Sequence, residues 1–80
     1  MRVLLFGRLG DVAGWRERDF DPPLKTLVAL KALIAAAHPA LGEALDARGV
    51  QAAVNKEIVR GDVVLPAGAE VAFLPPMSGG

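Results

Sequence analysis

Cysteine is absent from the 80-residue sequence, and histidine occurs once, as His38. Without cysteine the chain can form no disulfide, offers no thiolate nucleophile and cannot bind zinc or an iron–sulfur cluster through sulfur. The single histidine stands before Pro39, where a helix-terminal role is favoured over catalysis. Tyrosine, a glycine-rich phosphate loop and a nucleophile elbow are also missing. A self-contained enzyme is therefore not predicted, and no metal site is predicted either.

The charged residues balance, because nine lysines and arginines stand against nine aspartates and glutamates scattered along the chain. No basic stripe is present, so nucleic acid is not predicted as a partner. Apolar runs such as residues 33–37 are too short to span a membrane, and the charges of Arg8 and Asp11 come too early for a signal peptide. With 52% hydrophobic and 22% charged residues, the composition predicts one small globular domain in the cytoplasm.

Short apolar stretches between turn residues predict five strands, with the helical region between the second and the third. The predicted strands are residues 3–7, 15–20, 50–55, 58–59 and 71–74. The second is mostly charged, which suits an edge strand. Residues 8–14 are predicted as a connection with one helical turn. Further turns are predicted at residues 21–23, 55–57, 60–62 and 66–68.

Helical spacing of leucine, isoleucine and alanine predicts one main helix after Thr26, which is a favourable N-cap. Pro39 should end this helix near His38, because the residue before a proline avoids the helical region. A short second helix is predicted over residues 40–47, with Gly49 as its C′ residue. The first and last strands are the most apolar, so they are predicted to lie side by side at the centre of the sheet.

One long helix can cover only one face of such a sheet. Side-chain alternation assigns to the helix side Val3, Leu5, Val71 and Phe73. It leaves on the other side Leu4, Phe6, Ala72 and Leu74, with Ile58 as a further candidate. Burying a side chain of this size contributes about 1.5–3 kcal/mol, and contiguous exposed apolar surface usually marks a protein interface. The alternative is that the short second helix or a loop covers this face.

The sequence ends in a tail in which two conformationally restricted prolines are followed, two residues later, by two terminal glycines. The last six residues are Pro75, Pro76, Met77, Ser78, Gly79 and Gly80. Prolines favour an extended, polyproline-type path, whereas glycines without Cβ can thread a narrow channel. This design suits a carboxyl group that must enter the active site of another protein. An ordinary frayed terminus and a cloning remnant are the alternatives.

Three stretches carry a resemblance to a known family. They are VLLFG at residues 3–7, AAVN at residues 52–55 and GAEVAFLPPMSGG at residues 68–80. Over nearly its whole length the sequence resembles the small, sulfur-carrier subunit of molybdopterin synthase, a ubiquitin-like β-grasp family. Ala69 departs from the aspartate that usually opens the family's last strand, but this position is in a turn. The resemblance implies an α+β β-grasp domain over residues 1–75 and an extended, flexible tail over residues 76–80. It implies a mixed sheet of four to five strands, with one main helix on one face and a short second helix.

The resemblance also implies a mechanism centred on Gly80. An E1-like adenylyltransferase would use ATP to adenylate the Gly80 carboxylate, and a sulfur donor such as a cysteine desulfurase or a rhodanese-type protein would convert it to a thiocarboxylate. The tail would then enter the large synthase subunit, where sulfur passes to cyclic pyranopterin monophosphate during molybdenum cofactor biosynthesis. Gly79 would provide access to the channel. The chain itself would bind no cofactor and would be a non-catalytic, sulfur-donating part of a sulfurtransferase complex, with two copies of each subunit.

By the same resemblance, the partner-binding residues are predicted to combine the uncovered face with the tail. They are Phe6, Ile58, Leu74, Pro75, Pro76, Met77 and Ser78. Two other classes of function stay open. One is a sulfur carrier for thiamine synthesis or tRNA thiolation, or a ubiquitin-like modifier joined to lysines through Gly80. The other is a β-grasp interaction module without covalent chemistry. The sequence does not separate molybdenum from tungsten.

Overall fold

The computed structural model describes residues 1–20 and 24–76. In chain order these contain β1 (Arg2–Leu5), α1 (Arg8–Ala13), β2 (Glu17–Asp19), α2 (Leu27–Ala37), α3 (Pro39–Leu45), β3 (Gln51–Val54), β4 (Glu57–Val59) and β5 (Glu70–Leu74). The turn predicted at residues 21–23 lies outside the described residues. None of the described helices is long and apolar enough to cross a membrane.

The strands form one mixed sheet in the order β2-β1-β5-β3-β4. β1 and β5 run parallel, and the other neighbouring strands are antiparallel. The predicted α+β architecture, the adjacent first and last strands and the edge position of the second strand are confirmed. Because β5 lies between β1 and β3, the chain beyond Leu74 leaves from the middle of one end of the sheet.

β2 is shorter than the strand predicted over residues 15–20. Trp15 and Phe20 flank it and pack against the core. The guanidinium carbon of Arg18 lies 5.9 Å from the ring centroid of Trp15 and 5.7 Å from that of Phe20. The two aromatic residues are therefore anchored by packing, and only the charged middle of the segment pairs with β1.

Helices α2 and α3 meet at a residue that serves both. The Thr26 hydroxyl accepts a hydrogen bond from the Ala29 amide at 3.1 Å, which confirms Thr26 as the N-cap of α2. At the other end the His38 amide donates to the Ile34 carbonyl, and His38 Nδ1 accepts from the Leu41 amide at 3.3 Å. The lone histidine is thus the C-cap of α2 and the N-cap of α3, with Pro39 in the first turn of α3.

Two features differ from the sequence-based expectation. The connection over residues 8–14 is a six-residue helix, α1, which begins after Gly7 and ends at Gly14 in the left-handed conformation. It forms because Leu9 is anchored in the core, although Gly10 lowers the local helix propensity. Helix α3 ends at Leu45 with Asp46 as its C-cap, so Gly49 is not its C′ residue. Gly49 has φ +89° in the following turn.

The hydrophobic core lies on one side of the sheet only. Val3, Leu5, Val71 and Phe73 are buried there, as predicted. They pack with side chains from all three helices, Leu9, Leu30, Ile34, Leu41 and Leu45. Because α3 contributes Leu41 and Leu45 to this layer, it does not cover the opposite face. The alternative that the short second helix covers that face is therefore wrong.

Candidate docking face and tail root

The side of the sheet away from the helices presents apolar side chains in register. Strand pairing places Leu4 opposite Ala72, Ala72 opposite Ala53, and Ala53 opposite Ile58, so the four form one row across β1, β5, β3 and β4. Ile58, at the end of the row, is 50% exposed. Paired residues share a face of the sheet, so the row is continuous in register, and within it the small side chain of Ala53 is buried between its neighbours.

A second row lies toward the end from which the tail leaves. Leu5 pairs with Phe73 in β5, and the Phe6 amide donates to the Phe73 carbonyl at 3.2 Å, which sets Phe6 beside Leu74. Phe6 is 46% exposed, and Leu74 is half-buried. We call the two rows together the open face: Leu4, Phe6, Ala53, Ile58, Ala72 and Leu74. The three predicted docking residues Phe6, Ile58 and Leu74 thus occupy one surface, and their role in binding stays a prediction.

The β3–β4 hairpin holds Ile58 in place. Asn55 and Lys56 both have positive φ, +50° and +70°, as in the two-residue turns that match the twist of a hairpin. The Asn55 amide donates to the Glu70 carbonyl at 2.8 Å, and Asn55 Oδ1 accepts from the Glu70 amide at 3.0 Å. This double link fixes the hairpin to the start of β5, so the position of Ile58 on the open face is set by the backbone.

Charged side chains bound the open face at the corner farthest from the tail. Arg2 donates to Glu17 Oε1 at 2.9 Å, and Asp19 and Glu70 are the register partners of Arg2 on either side. The hydrogen bond to Glu17, followed by the charge of Glu17 and then of the other two carboxylates, raises the pKa of Arg2. Three carboxylates thus lie around one guanidinium at this corner, where the Met1 ammonium also donates to the Phe20 carbonyl at 3.3 Å. We call Glu17, Asp19 and Glu70 the acidic margin.

Pro75 and Pro76 form the root of the tail, at the opposite end of the open face. A Cβ placed on Gly7 would lie 2.9 Å from Pro75 Cγ, and one on Gly49 would lie 2.7 Å from Pro76 Cβ. Beside the prolines lies a cavity of about 450 Å³, lined by Val12 of α1, Val50 and other apolar side chains. The predicted site residues Met77, Ser78, Gly79 and Gly80 lie outside the described residues.

Gly7 and Gly49 were not predicted as parts of the site. Sequence patterns indicate only that Gly7 ends the first strand and that Gly49 follows the second helix. Their contacts with the tail root depend on which strands flank β5, and local periodicity contains no information on that order. The described residues contain no group of three or more histidine, cysteine, aspartate or glutamate side chains arranged to hold a metal ion.

Comparison with known proteins agrees with this geometry. The ThiS family matches residues 3–80. The chain is 34% identical to the molybdopterin synthase sulfur carrier subunit of Escherichia coli, over all of this chain and 99% of that protein. It is 39% identical to the protein of the same name from Chlamydomonas reinhardtii, over all of this chain and 98% of that one.

A solved structure of similar shape supports the fold. The crystal structure of small archaeal modifier protein 1 from Haloferax volcanii superimposes with a TM-score of 0.73 at 34% identity, covering all of this chain and 98% of that one. The predicted ubiquitin-like β-grasp fold is therefore confirmed. From the match over residues 3–80 and from these relatives, the chain belongs to the ThiS family of ubiquitin-like sulfur-carrier proteins.

Proposed function

We propose that this chain is the sulfur-carrier small subunit of a molybdopterin synthase and binds the large subunit of that enzyme. The observation that carries the proposal is the open face, whose rows of paired apolar residues extend to the tail root. Its row from Leu4 to Ile58 and its second row from Phe6 to Leu74 give a partner a surface to bind, and Pro75 begins where that surface stops. The names of the two relatives, which are 34% and 39% identical, supply the kind of partner.

The chemistry proposed at Gly80 begins with activation of the carboxylate. A carboxylate oxygen attacks the α-phosphorus of ATP on an E1-like enzyme, which gives an acyl-adenylate and releases pyrophosphate. The terminal sulfur of a donor persulfide then attacks the acyl carbon and expels AMP. A second donor thiol cleaves the resulting acyl disulfide, so the donor is left as a disulfide and Gly80 as a thiocarboxylate.

Delivery takes place in the large subunit. The thiocarboxylate sulfur of Gly80 attacks a carbon of cyclic pyranopterin monophosphate and displaces an oxygen substituent from that carbon, which gives a thioester between Gly80 and the pterin. Water then cleaves the bond between the Gly80 acyl carbon and sulfur, so that sulfur stays on the pterin as a thiol and Gly80 returns to a carboxylate. Two deliveries are needed for a dithiolene, which suits an assembly with two copies of each subunit. In this reaction Gly79 allows the tail to enter a narrow channel, because any side chain at this position would make the tail wider. The open face holds the carrier while the tail reacts.

Intact-mass measurement tests the proposal directly. The purified chain is incubated with ATP, the activating enzyme and a persulfide donor, and we expect a mass increase equal to the exchange of one oxygen for sulfur, located at Gly80. A chain lacking Gly80 is the matched control and should gain no sulfur. The thiocarboxylated chain should then convert cyclic pyranopterin monophosphate only when the large subunit is added. An unshifted mass, under conditions that charge the E. coli relative, would refute the proposal.

A second candidate is a ubiquitin-like protein modifier. The similarity to small archaeal modifier protein 1, at 34% identity over the whole chain, favours it. Both functions use an activated Gly80, but a modifier forms an isopeptide bond to a lysine of another protein. Tryptic peptides in which a lysine carries residues 61–80, the remnant left by cleavage after Arg60, would favour the modifier if they form with ATP and are absent without Gly80. A thiocarboxylated chain with no such peptides would favour the sulfur carrier.

A further inference from the structure

The tail root is held between the ends of the two strands that flank β5. Gly7 follows β1 by two residues, and Gly49 precedes β3 by two residues, while the strand order places β5 between β1 and β3. Pro75 lies against Gly7 and Pro76 against Gly49. The chain therefore leaves the domain through a gap with one glycine on each side. We call Gly7 and Gly49 the tail seat.

The two glycines do more than permit a left-handed turn. The described residues contain five glycines with positive φ. At Gly14, Gly61 and Gly68 an added Cβ would meet nothing within 4 Å, so only the backbone conformation requires glycine there. At Gly7 and Gly49 the place of the Cβ is taken by a proline ring of the tail, at distances below 3.0 Å that real Cβ atoms essentially never show. Glycine is therefore required at these two positions for two reasons, the positive φ and the close approach of the tail.

From this contrast we infer that Gly7 and Gly49 are positioning residues that set the direction in which the tail leaves the domain. Proline fixes φ near −65°, so two seated prolines leave the chain few orientations at Pro76. Four more residues reach at most about 14 Å, and a tilt at the root therefore moves the carboxyl group by several ångströms. Where it concerns the reaction at Gly80, the inference rests on the proposed function. A displacement of the reacting group by about 1 Å can lower the rate of a reaction by about a hundredfold.

The direction of the tail can be measured without any partner. Because the chain has no cysteine, Met77→Cys provides a unique site for a nitroxide label, and the broadening of backbone amide signals maps where the label lies. We expect Gly49→Ala to change this map at the β1–α1 and α3–β3 junctions. Gly68→Ala is the matched control, because its φ of +72° imposes the same kind of backbone penalty with open space around the Cβ. An unchanged map in Gly49→Ala would overturn the inference.

A double variant separates tail contact from backbone strain. Pro76→Gly removes the proline Cβ that the methyl group added by Gly49→Ala would contact, and it also leaves the tail with more backbone freedom. If the seat acts through that contact, Gly49→Ala should alter the map in the native background and add little in the Pro76→Gly background. An equal change in both backgrounds would mean that strain at Gly49 is the cause. Should Gly49→Ala fail to fold, Pro76→Gly alone must still broaden the distribution of the label, and an unaltered distribution would refute the seat.

The kinetic consequence is a split between binding and reaction. With the E1-like enzyme, Gly49→Ala should lower kcat for thiocarboxylation about tenfold to a hundredfold, while KM for the carrier stays within about twofold because the rest of the domain surface is unchanged. Gly68→Ala should leave both constants near those of the native chain. Equal kinetic losses in the two variants would overturn the inference. If the native chain is never thiocarboxylated, the proposed function fails, and the label map still decides whether the seat directs the tail.

Discussion

The two faces of the sheet are built from similar residues and have different tasks. Along β5, Val71 and Phe73 point to the helices and are almost fully buried, whereas Ala72 and Leu74 point the other way and stay partly exposed. The difference comes from the helices, because all three pack on the same side. Hydrophobicity of a strand residue therefore does not say what it does. The covered face stabilises the fold, and the open face is available to a partner.

The largest effect is expected on the covered face. Phe73→Ala should lower the free energy of unfolding by about 3–5 kcal/mol, because it leaves a cavity among side chains that cannot close it. Leu74→Ala, one residue on, is the control, and it should cost under about 1.5 kcal/mol because Leu74 is only half-buried. Urea denaturation of both variants gives the comparison. Similar losses of unfolding free energy would mean that side chains on the two faces contribute equally to stability, in spite of their different burial.

On the open face the expected loss is in binding. Ile58→Ala should weaken association with the synthase large subunit by about 10- to 100-fold, which corresponds to the roughly 1.5–3 kcal/mol of burying that side chain. The unfolding midpoint should hardly change, since Ile58 is half-exposed in the free chain. Val64→Ala is a matched control, because Val64 is 77% exposed and pairs with Thr26 at the start of α2, not with a strand of the open face. Calorimetric titration showing equal affinities for both variants would remove Ile58 from the docking surface.

A smaller loss of stability is expected from a change at the contact between α2 and α3, on the covered face. A Cβ on Gly42 would lie 2.5 Å from Ala35 Cβ and 2.8 Å from its Cα, so Gly42→Ala should force the helices apart. Overpacking typically costs about 1–3 kcal/mol, and the better helix propensity of alanine returns up to about 1 kcal/mol. We expect a net loss near 1 kcal/mol in thermal unfolding. Adding Ala35→Gly should restore part of it, and a gain in stability from Gly42→Ala alone would contradict the close packing.

The sequence was informative where one residue decides the local structure. Thr26 and Pro39 bound α2 as expected, and the alternation in β1 and β5 predicts both faces correctly. Helix α1 was underestimated, because Gly10 conceals a segment that tertiary burial of Leu9 stabilises. The tail seat could not be predicted at all. Its two contacts join residues about 70 and 30 positions apart, and they exist only because the sheet order brings the ends of β1 and β3 to either side of β5.

The smallest effect concerns the acidic margin of the open face. Glu70→Gln should slow association with the large subunit by no more than about fivefold, since an exposed charge pair contributes at most about 1 kcal/mol. The loss should appear in the association rate and fade at high salt, because charges at the rim of an interface act mainly by steering the encounter. Glu43→Gln makes the same change of charge on the exposed side of α3. Stopped-flow measurements across a salt series should therefore show a salt-dependent loss for Glu70→Gln and a smaller one for Glu43→Gln. Equal losses would mean that the partner responds to net charge alone, and then the acidic margin would not orient the open face toward it.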